Sequence, residues 1–277
     1  SPDFPCGIAF RLKEAGVPIE VAGGPLFPER EFKSDDEARY IKEGNAASAA
    51  GFRVVENLLR EAEIRRGYLY HGGRRLTSEH VQQAIAVACL ERGAIAANTI
   101  VAGGDQACDP HCRGSGPLRA NQLIIVDIFP RVVKTGYHGD MTRTYLKGRA
   151  SDTQKQLTET VFAAQQSALK RHRSGKSASK IYKEVKQFFE DNGYPTKREN
   201  GVPVGFIHGL GHGLGLAIHE PPRVNASGER LKMGQVITVE PGLYYPGLGG
   251  ARVEDVIRVG KDQPEMLSKH AYRWQIS

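Results

Sequence analysis

Apolar positions along the 277-residue chain follow helical and then extended periods, and that order occurs twice. Residues 1–33 are short mixed segments broken by Pro18, Pro25 and Pro28, and predict no self-contained unit. Ser34-Asp35-Asp36-Glu37 reads as a capping box, with Ser34 as N-cap and Glu37 reaching back. A long helix is predicted from there to about residue 66, with Val55, Leu58, Leu59 and Ala62 on one stripe. A second starts at Thr77-Ser78-Glu79, carries Val81, Ile85 and Ala88 on one face, and stops at Gly93. Residues 94–101 predict a strand. So do residues 122–127, and residues 135–146 can pair back with them as a hairpin. Two helices are predicted next, at about 152–172 and 178–192, the second ended by Gly193 and Pro195. Residues 235–240 and 252–259 read as closing strands. The succession of helix, helix and strands, twice over, is the pattern of an internal duplication.

Composition narrows the function classes. There are 32 glycines, and 13 of them lie between Gly201 and Gly260, so the backbone there must turn tightly or approach something closely. No Gly-X-Y period exists, which excludes collagen-like and low-complexity readings. The net charge of +7 admits nucleic acid, but basic and acidic residues interleave, which argues against it. The one compact basic run is Lys170, Arg171, Arg173, Lys176 and Lys180, at a predicted helix end where cations are favourable anyway. Cys6, Cys89, Cys108 and Cys112 form no CxxC pair and are read as reduced thiols of a cytoplasmic protein. No apolar run approaches the ~18 residues of a membrane span, and no signal-peptide core opens the chain. Ser1-Pro2-Asp3-Phe4 starts it abruptly, as a cut boundary or a processed end would.

The chemistry lies where acids and histidines terminate or interrupt apolar strands. Asp127 ends Leu-Ile-Ile-Val; Asp140 follows thirteen residues on, in Gly-Asp-Met-Thr-Arg-Thr. His212 sits in HGLGHGLG, Glu240 ends Val-Ile-Thr-Val before Pro241-Gly242, and Glu254 lies within Arg-Val-Glu-Asp. A carboxylate in an apolar strand is costly unless paired or bound to a metal. Taken singly, each acid could cap a turn or pair with Arg143 or Arg252; five together point to divalent cations, for which carboxylates plus one imidazole suit Mn²⁺, Co²⁺, Fe²⁺ or Zn²⁺. Five ligands, two of them able to bridge, are what a two-metal site needs.

These residues, in this order, resemble the creatinase/methionine-aminopeptidase ("pita-bread") metallopeptidases, and within them the proline-peptidase branch. The resemblance implies an α+β fold of two pseudo-symmetric helix-plus-antiparallel-strand halves around a dinuclear metal site. It assigns Asp127 to one metal, His212 and Glu240 to the other, and Asp140 and Glu254 to both. The Asp127–Asp140 spacing is two residues longer than is common in the family, which implies a longer hairpin turn around residues 131–134. Mn²⁺ is the first choice, with Co²⁺, Zn²⁺ or Fe²⁺ as alternatives.

The HGxGH form, with His208 before His212, resembles proline-specific members. By the same resemblance His111 and His219 would hydrogen-bond the scissile carbonyl and the developing oxyanion, and His208 would shape the proline pocket. Glu240 is the candidate general base. Arg223, directly after HEPP, either holds a substrate carboxylate or is an exposed turn residue; Arg252 pairs with and orients Asp127. His71, His80, His138, His172 and His270 are read as ordinary core or surface residues.

The implied activity is hydrolysis of the Xaa-Pro bond at the N-terminus of dipeptides or short peptides, with neither nucleic acid nor membrane as partner. A dipeptidase and a longer-peptide aminopeptidase both fit. The rivals are a methionine-type aminopeptidase and a non-catalytic module that binds protein or nucleic acid. Residues 34–277 are expected to form the catalytic domain. Residues 1–33 are expected to be a linker or the tail of an otherwise missing N-terminal creatinase-like domain, through which relatives often form homodimers.

Overall fold

The computed structural model describes residues 4–21 and 27–277, so the opening Ser1-Pro2-Asp3 and Pro25 lie outside the described residues. Five helices are described: α1 (Cys6–Glu14), α2 (Asp35–Glu61), α3 (Ser78–Leu90), α4 (Asp152–Leu169) and α5 (Ala178–Asp191). Helix α1 buries none of its residues. At the start of α2 the Ser34 side chain accepts the Glu37 amide and the Glu37 carboxylate accepts the Ser34 amide, the reciprocal cap the sequence predicts. The helix stops at Glu61, earlier than predicted, because Ala62 is extended and Glu63–Arg65 pairs instead with Tyr68–His71. That hairpin reverses at Arg66 and Gly67, both at positive φ.

The strands that frame the interior are β1 (Ile100–Gly103), β2 (Ile124–Ile128), β3 (Met141–Lys147), β4 (Gly211–Gly213), β5 (Glu220–Val224), β6 (Val236–Val239), β7 (Gly242–Tyr245), β8 (Gly249–Arg252) and β9 (Asp255–Arg258). One sheet runs β1-β2-β3 antiparallel, with Gln275–Ile276 added in parallel beside β3. A second runs β5-β4-β6-β9 and ends on Glu265–Met266; β7 and β8 form a ribbon of their own. Two predicted strands are divided. Ala94–Ile95 pairs with Arg131–Val132 while β1 begins only at Ile100, and residues 252–259 are cut between the end of β8 and β9.

Each half has its own core. Phe52, Val55 and Leu59 of α2 and Val81 and Ile85 of α3 pack on Ile124, Val126 and Ile128 of β2. Leu157, Val161 and Ala164 of α4 and Ile181, Val185 and Phe189 of α5 pack on Ile237, Val239, Ala251 and Val253. Each such buried aliphatic or aromatic side chain contributes about 1.5–3 kcal/mol. Strand side chains alternate between faces, so the rows between these apolar positions point the other way. Those rows hold Asp127, Thr142, Thr144, Thr238, Glu240, Arg252 and Glu254. A period of two thus aims acids from three pieces of sheet into one space.

Candidate metal centre and substrate cavity

Asp127, Asp140, His212, Glu240 and Glu254 all line one cavity of about 540 Å³, together with His111, His208, His219, Arg223 and Arg252. The imidazole Nε2 of His212 lies 3.6 Å from Asp140 Oδ2 and 3.4 Å from Glu240 Oε1. One ligand atom each from Asp140, His212 and Glu254 falls within 4.8 Å of the others. The second ring nitrogen, Nδ1, is 3.1 Å from the carbonyl of Gly213. A carbonyl only accepts, so Nδ1 carries the proton and Nε2 presents a lone pair to the carboxylates.

Local backbone explains how His212 enters so crowded a place. It is flanked by Gly211 and Gly213 on β4, between β5 and β6. A Cβ on Gly211 would come 2.0 Å from Thr238 O, and one on Gly213 2.1 Å from Pro221 O, so only glycine lets the three strands close around the imidazole. Asp140 is set from another direction: its amide donates to Asn45 Oδ1 of α2 at 2.9 Å. The preceding Gly139 touches Gly44 backbone to backbone, so the helix and the Asp140 turn meet with no side chain between them. The longer connection from Asp127 to Asp140 holds the Arg131–Val132 strand and a turn closed by Gly136 N to Val132 O, yet Asp127 still faces Thr142 across the sheet.

A ring of donors orients the acids. Arg252 Nη2 donates to Asp127 Oδ2 at 2.9 Å, and both side chains are buried. Thr142 Oγ1 donates to Glu254 Oε2 at 2.8 Å, and Thr238 Oγ1 to Glu240 Oε1 at 3.3 Å. Arg143, the other arginine near the acids in sequence, instead pairs with buried Asp255 at 3.0 Å. Asp127 Oδ1 is buried and has no hydrogen-bond partner among the described residues.

Burial pushes the Asp127 carboxyl up despite Arg252, and lifts Asp140 and Glu254 well above the usual carboxylate range, with the neighbouring acids adding to the effect. Glu240 is pushed up to about 7, by burial first. His212 is pushed down to about 3, again by burial, with His219 contributing. A neutral imidazole facing clustered carboxylates, one of them with an orphaned oxygen, fits a divalent metal ion.

His208 is held differently. Its Nδ1 is 2.7 Å from Gly209 O, so its Nε2 accepts from the Tyr244 hydroxyl at 2.8 Å; Tyr244 in turn accepts from Arg252 Nη1 at 2.9 Å. Both ring nitrogens are occupied, so the ring offers the cavity its face and edge rather than a proton. Arg223 lies opposite His212 on β5, exposed, with no carboxylate paired to it among the described residues. His219 packs edge-on against His212, 4.3 Å between ring centroids. His111 lies at the wall, its amide held by Asp109 at 2.9 Å.

None of the other histidines lines this cavity. His172 is buried 2.7 Å from Ala168 O, and His71 and His270 face Glu61 and Glu56. All four cysteines are free thiols. Sequence reasoning missed Asn45, Thr142, Thr238 and Tyr244. Only Thr142 and Thr238 carried a signal, since each lies two residues from Asp140 or Glu240 and so shares its face of a strand.

The chain belongs to metallopeptidase family M24, whose model matches residues 39–261. Its α+β architecture is accordingly the pita-bread arrangement of two helix-backed halves. Among curated relatives, the Xaa-Pro dipeptidase of Pyrococcus furiosus is 34% identical over 174 residues, which is 62% of this chain and 47% of that protein. A putative dipeptidase of Bacillus subtilis is 28% identical over 95% of this chain and 68% of its own length. Among solved structures, the prolidase from Pyrococcus furiosus superposes with a TM-score of 0.83 at 26% identity, covering 97% of this chain and 74% of that one. The chain thus spans about half the length of the Xaa-Pro dipeptidases it matches. Among the described residues no helix is long and apolar enough to cross a membrane.

Proposed function

We propose that this chain is the catalytic part of an Xaa-Pro peptidase, with dipeptides as its preferred substrates, acting through two divalent cations. The observation that carries the reading is the convergence of Asp127, Asp140, His212, Glu240 and Glu254 on a cavity whose wall holds the Arg223 guanidinium, unpaired among the described residues. The names of its relatives, Xaa-Pro dipeptidase and prolidase, support the same substrate class. Asp127 would hold one cation, His212 and Glu240 the other, and Asp140 and Glu254 both. Mn²⁺ is the first candidate. Bound there, such a pair lowers the pKa of water and polarises a carbonyl.

The remaining work falls to the chain's own side chains. Glu240 accepts the proton from the attacking water and returns it to the proline nitrogen. His219 and His111 donate hydrogen bonds to the oxygen of the scissile carbonyl as charge develops on it. Arg223 binds the free carboxylate of a dipeptide through its two-pronged guanidinium. The His208 ring, kept neutral and fixed by Tyr244, packs against the proline. Arg252 holds Asp127 in place. We assign residues 34–277 to the catalytic unit.

A length series decides between the two forms of the activity. Xaa-Pro dipeptides should be cleaved well and Xaa-Pro tripeptides poorly. Equal turnover of both would favour an aminopeptidase, and cleavage of Met-Ala peptides in preference to either would sink the proline reading.

A further inference from the structure

His219 is exposed at the cavity wall, and among the described residues its ring packs on His212 without a hydrogen bond of its own. Something in its backbone surroundings must set it. The next residue, Glu220, is an acid buried outside the metal cluster, with only 6% exposure. Its carboxylate accepts the Ala217 amide at 2.9 Å, which closes the turn that carries His219. It also accepts from Lys33 Nζ at 3.1 Å and from Arg30. The Lys33 side chain is 1% exposed, so this is an enclosed ion pair rather than a surface one.

Both cations arrive from the short segment just before α2. The Lys33 amide donates to Gly234 O at 2.8 Å, and Phe32 bridges to Gln235, which pins that segment along the second sheet. The turn is braced on its other side by His138 N to Gly215 O and Gly215 N to Ala217 O. Burial alone would raise the Glu220 carboxyl, yet the Ala217 amide, Lys33 and Arg30 together hold it below its ordinary value, so it is ionised. Removing one member of a buried pair leaves the other charge uncompensated, and such a turn would then rearrange.

We propose that Glu220, clamped by Lys33 and Arg30, is the positioning residue that fixes the His219 imidazole over the carboxylate cluster. On this account the catalytic unit extends ahead of residue 34 to take in the segment before α2. The inference rests on the reading of His219 as a substrate-facing group. A displacement on the ångström scale at such a group can cost up to about a hundredfold in rate.

The test compares Glu220→Gln and Lys33→Met with the unaltered full chain, each loaded with Zn²⁺ and labelled with ¹⁵N-histidine. The expected result is that the His219 ring resonances shift and broaden while those of buried, distant His172 stay in place. In the Mn²⁺-loaded proteins kcat on an Xaa-Pro dipeptide should fall tenfold or more, with Mn²⁺ affinity changed less than threefold. Unmoved His219 resonances in a folded variant would overturn the proposal, and so would a kcat loss matched by equal movement of His172. Should Lys33→Met fail to fold, Glu220→Gln, which keeps the size of the side chain, decides. If the unaltered protein cleaves no Xaa-Pro peptide, the proposed activity falls, and the resonances still decide whether Glu220 positions His219.

Discussion

Asn45 of α2 accepts the backbone N–H of Asp140 at 2.9 Å, across 95 residues of chain. Its amide nitrogen meanwhile donates to Leu267 O at 3.0 Å, so one buried side chain ties the helix both to the Asp140 turn and to the last stretch of the chain. Replacing Asn45 with Ala should destabilise the protein by about 1–3 kcal/mol, the cost of leaving buried polar groups unmatched. It should also weaken divalent-metal binding about 10- to 100-fold, as loss of an orienting partner does. Thermal unfolding and titration calorimetry with Mn²⁺ check the two effects separately.

Arg252 is the only cation paired with a cluster acid among the described residues. Arg252→Ala leaves Asp127 buried and unpaired and should cost about 3–5 kcal/mol in the metal-free protein. Saturating Mn²⁺ should recover part of that loss, because a cation replaces the missing charge. Denaturant unfolding with and without metal measures it; a loss unaffected by Mn²⁺ would count against Asp127 as a ligand.

The metal-free protein should respond to pH in a defined direction. Glu240 has a folded pKa near 7 against 4.5 for an ordinary glutamate. The native state therefore holds a proton that the unfolded chain has lost, and stability from this group falls as pH rises from about 4.5 to 7. Its size is about 3 kcal/mol at most. Glu240→Gln should remove this part of the slope. Metal uptake near neutral pH should release protons, visible as calorimetric heats that depend on the buffer's ionisation enthalpy.

Arg223→Met should raise KM for Xaa-Pro dipeptides about tenfold or more, the value of a hydrogen-bonded charge pair, and leave residual tripeptide cleavage unaltered. Steady-state kinetics on the two lengths read the difference. A parallel change for both lengths would mean that Arg223 is not a carboxylate anchor.

How much of this was legible beforehand depends on sequence distance. Asp127, Glu240 and Glu254 could be read because each interrupts or ends a run of apolar residues on its own strand, and the glycines around His212 announced a close backbone approach. Helix α2 ran past its end in the sequence reading because Glu63, Ile64 and Arg65 suit a helix locally; pairing with Tyr68–His71 overrides that preference. The single strand expected over residues 94–101 failed because its two ends pair with different partners. Asn45, Tyr244 and the Lys33–Glu220 pair left no local signal, since each acts on a residue that only the folded chain brings near. The backbone contact of Gly44 with Gly139 is of the same kind.

The most direct measurement follows release of free proline from an Xaa-Pro dipeptide by the Mn²⁺-loaded protein, beside chelator-treated protein and the Glu240→Gln variant. The account predicts turnover that vanishes with chelation, returns with added Mn²⁺, and falls by about 10²–10⁴ in the variant. No proline release by the loaded protein, or release that survives both chelation and Glu240→Gln, would contradict it.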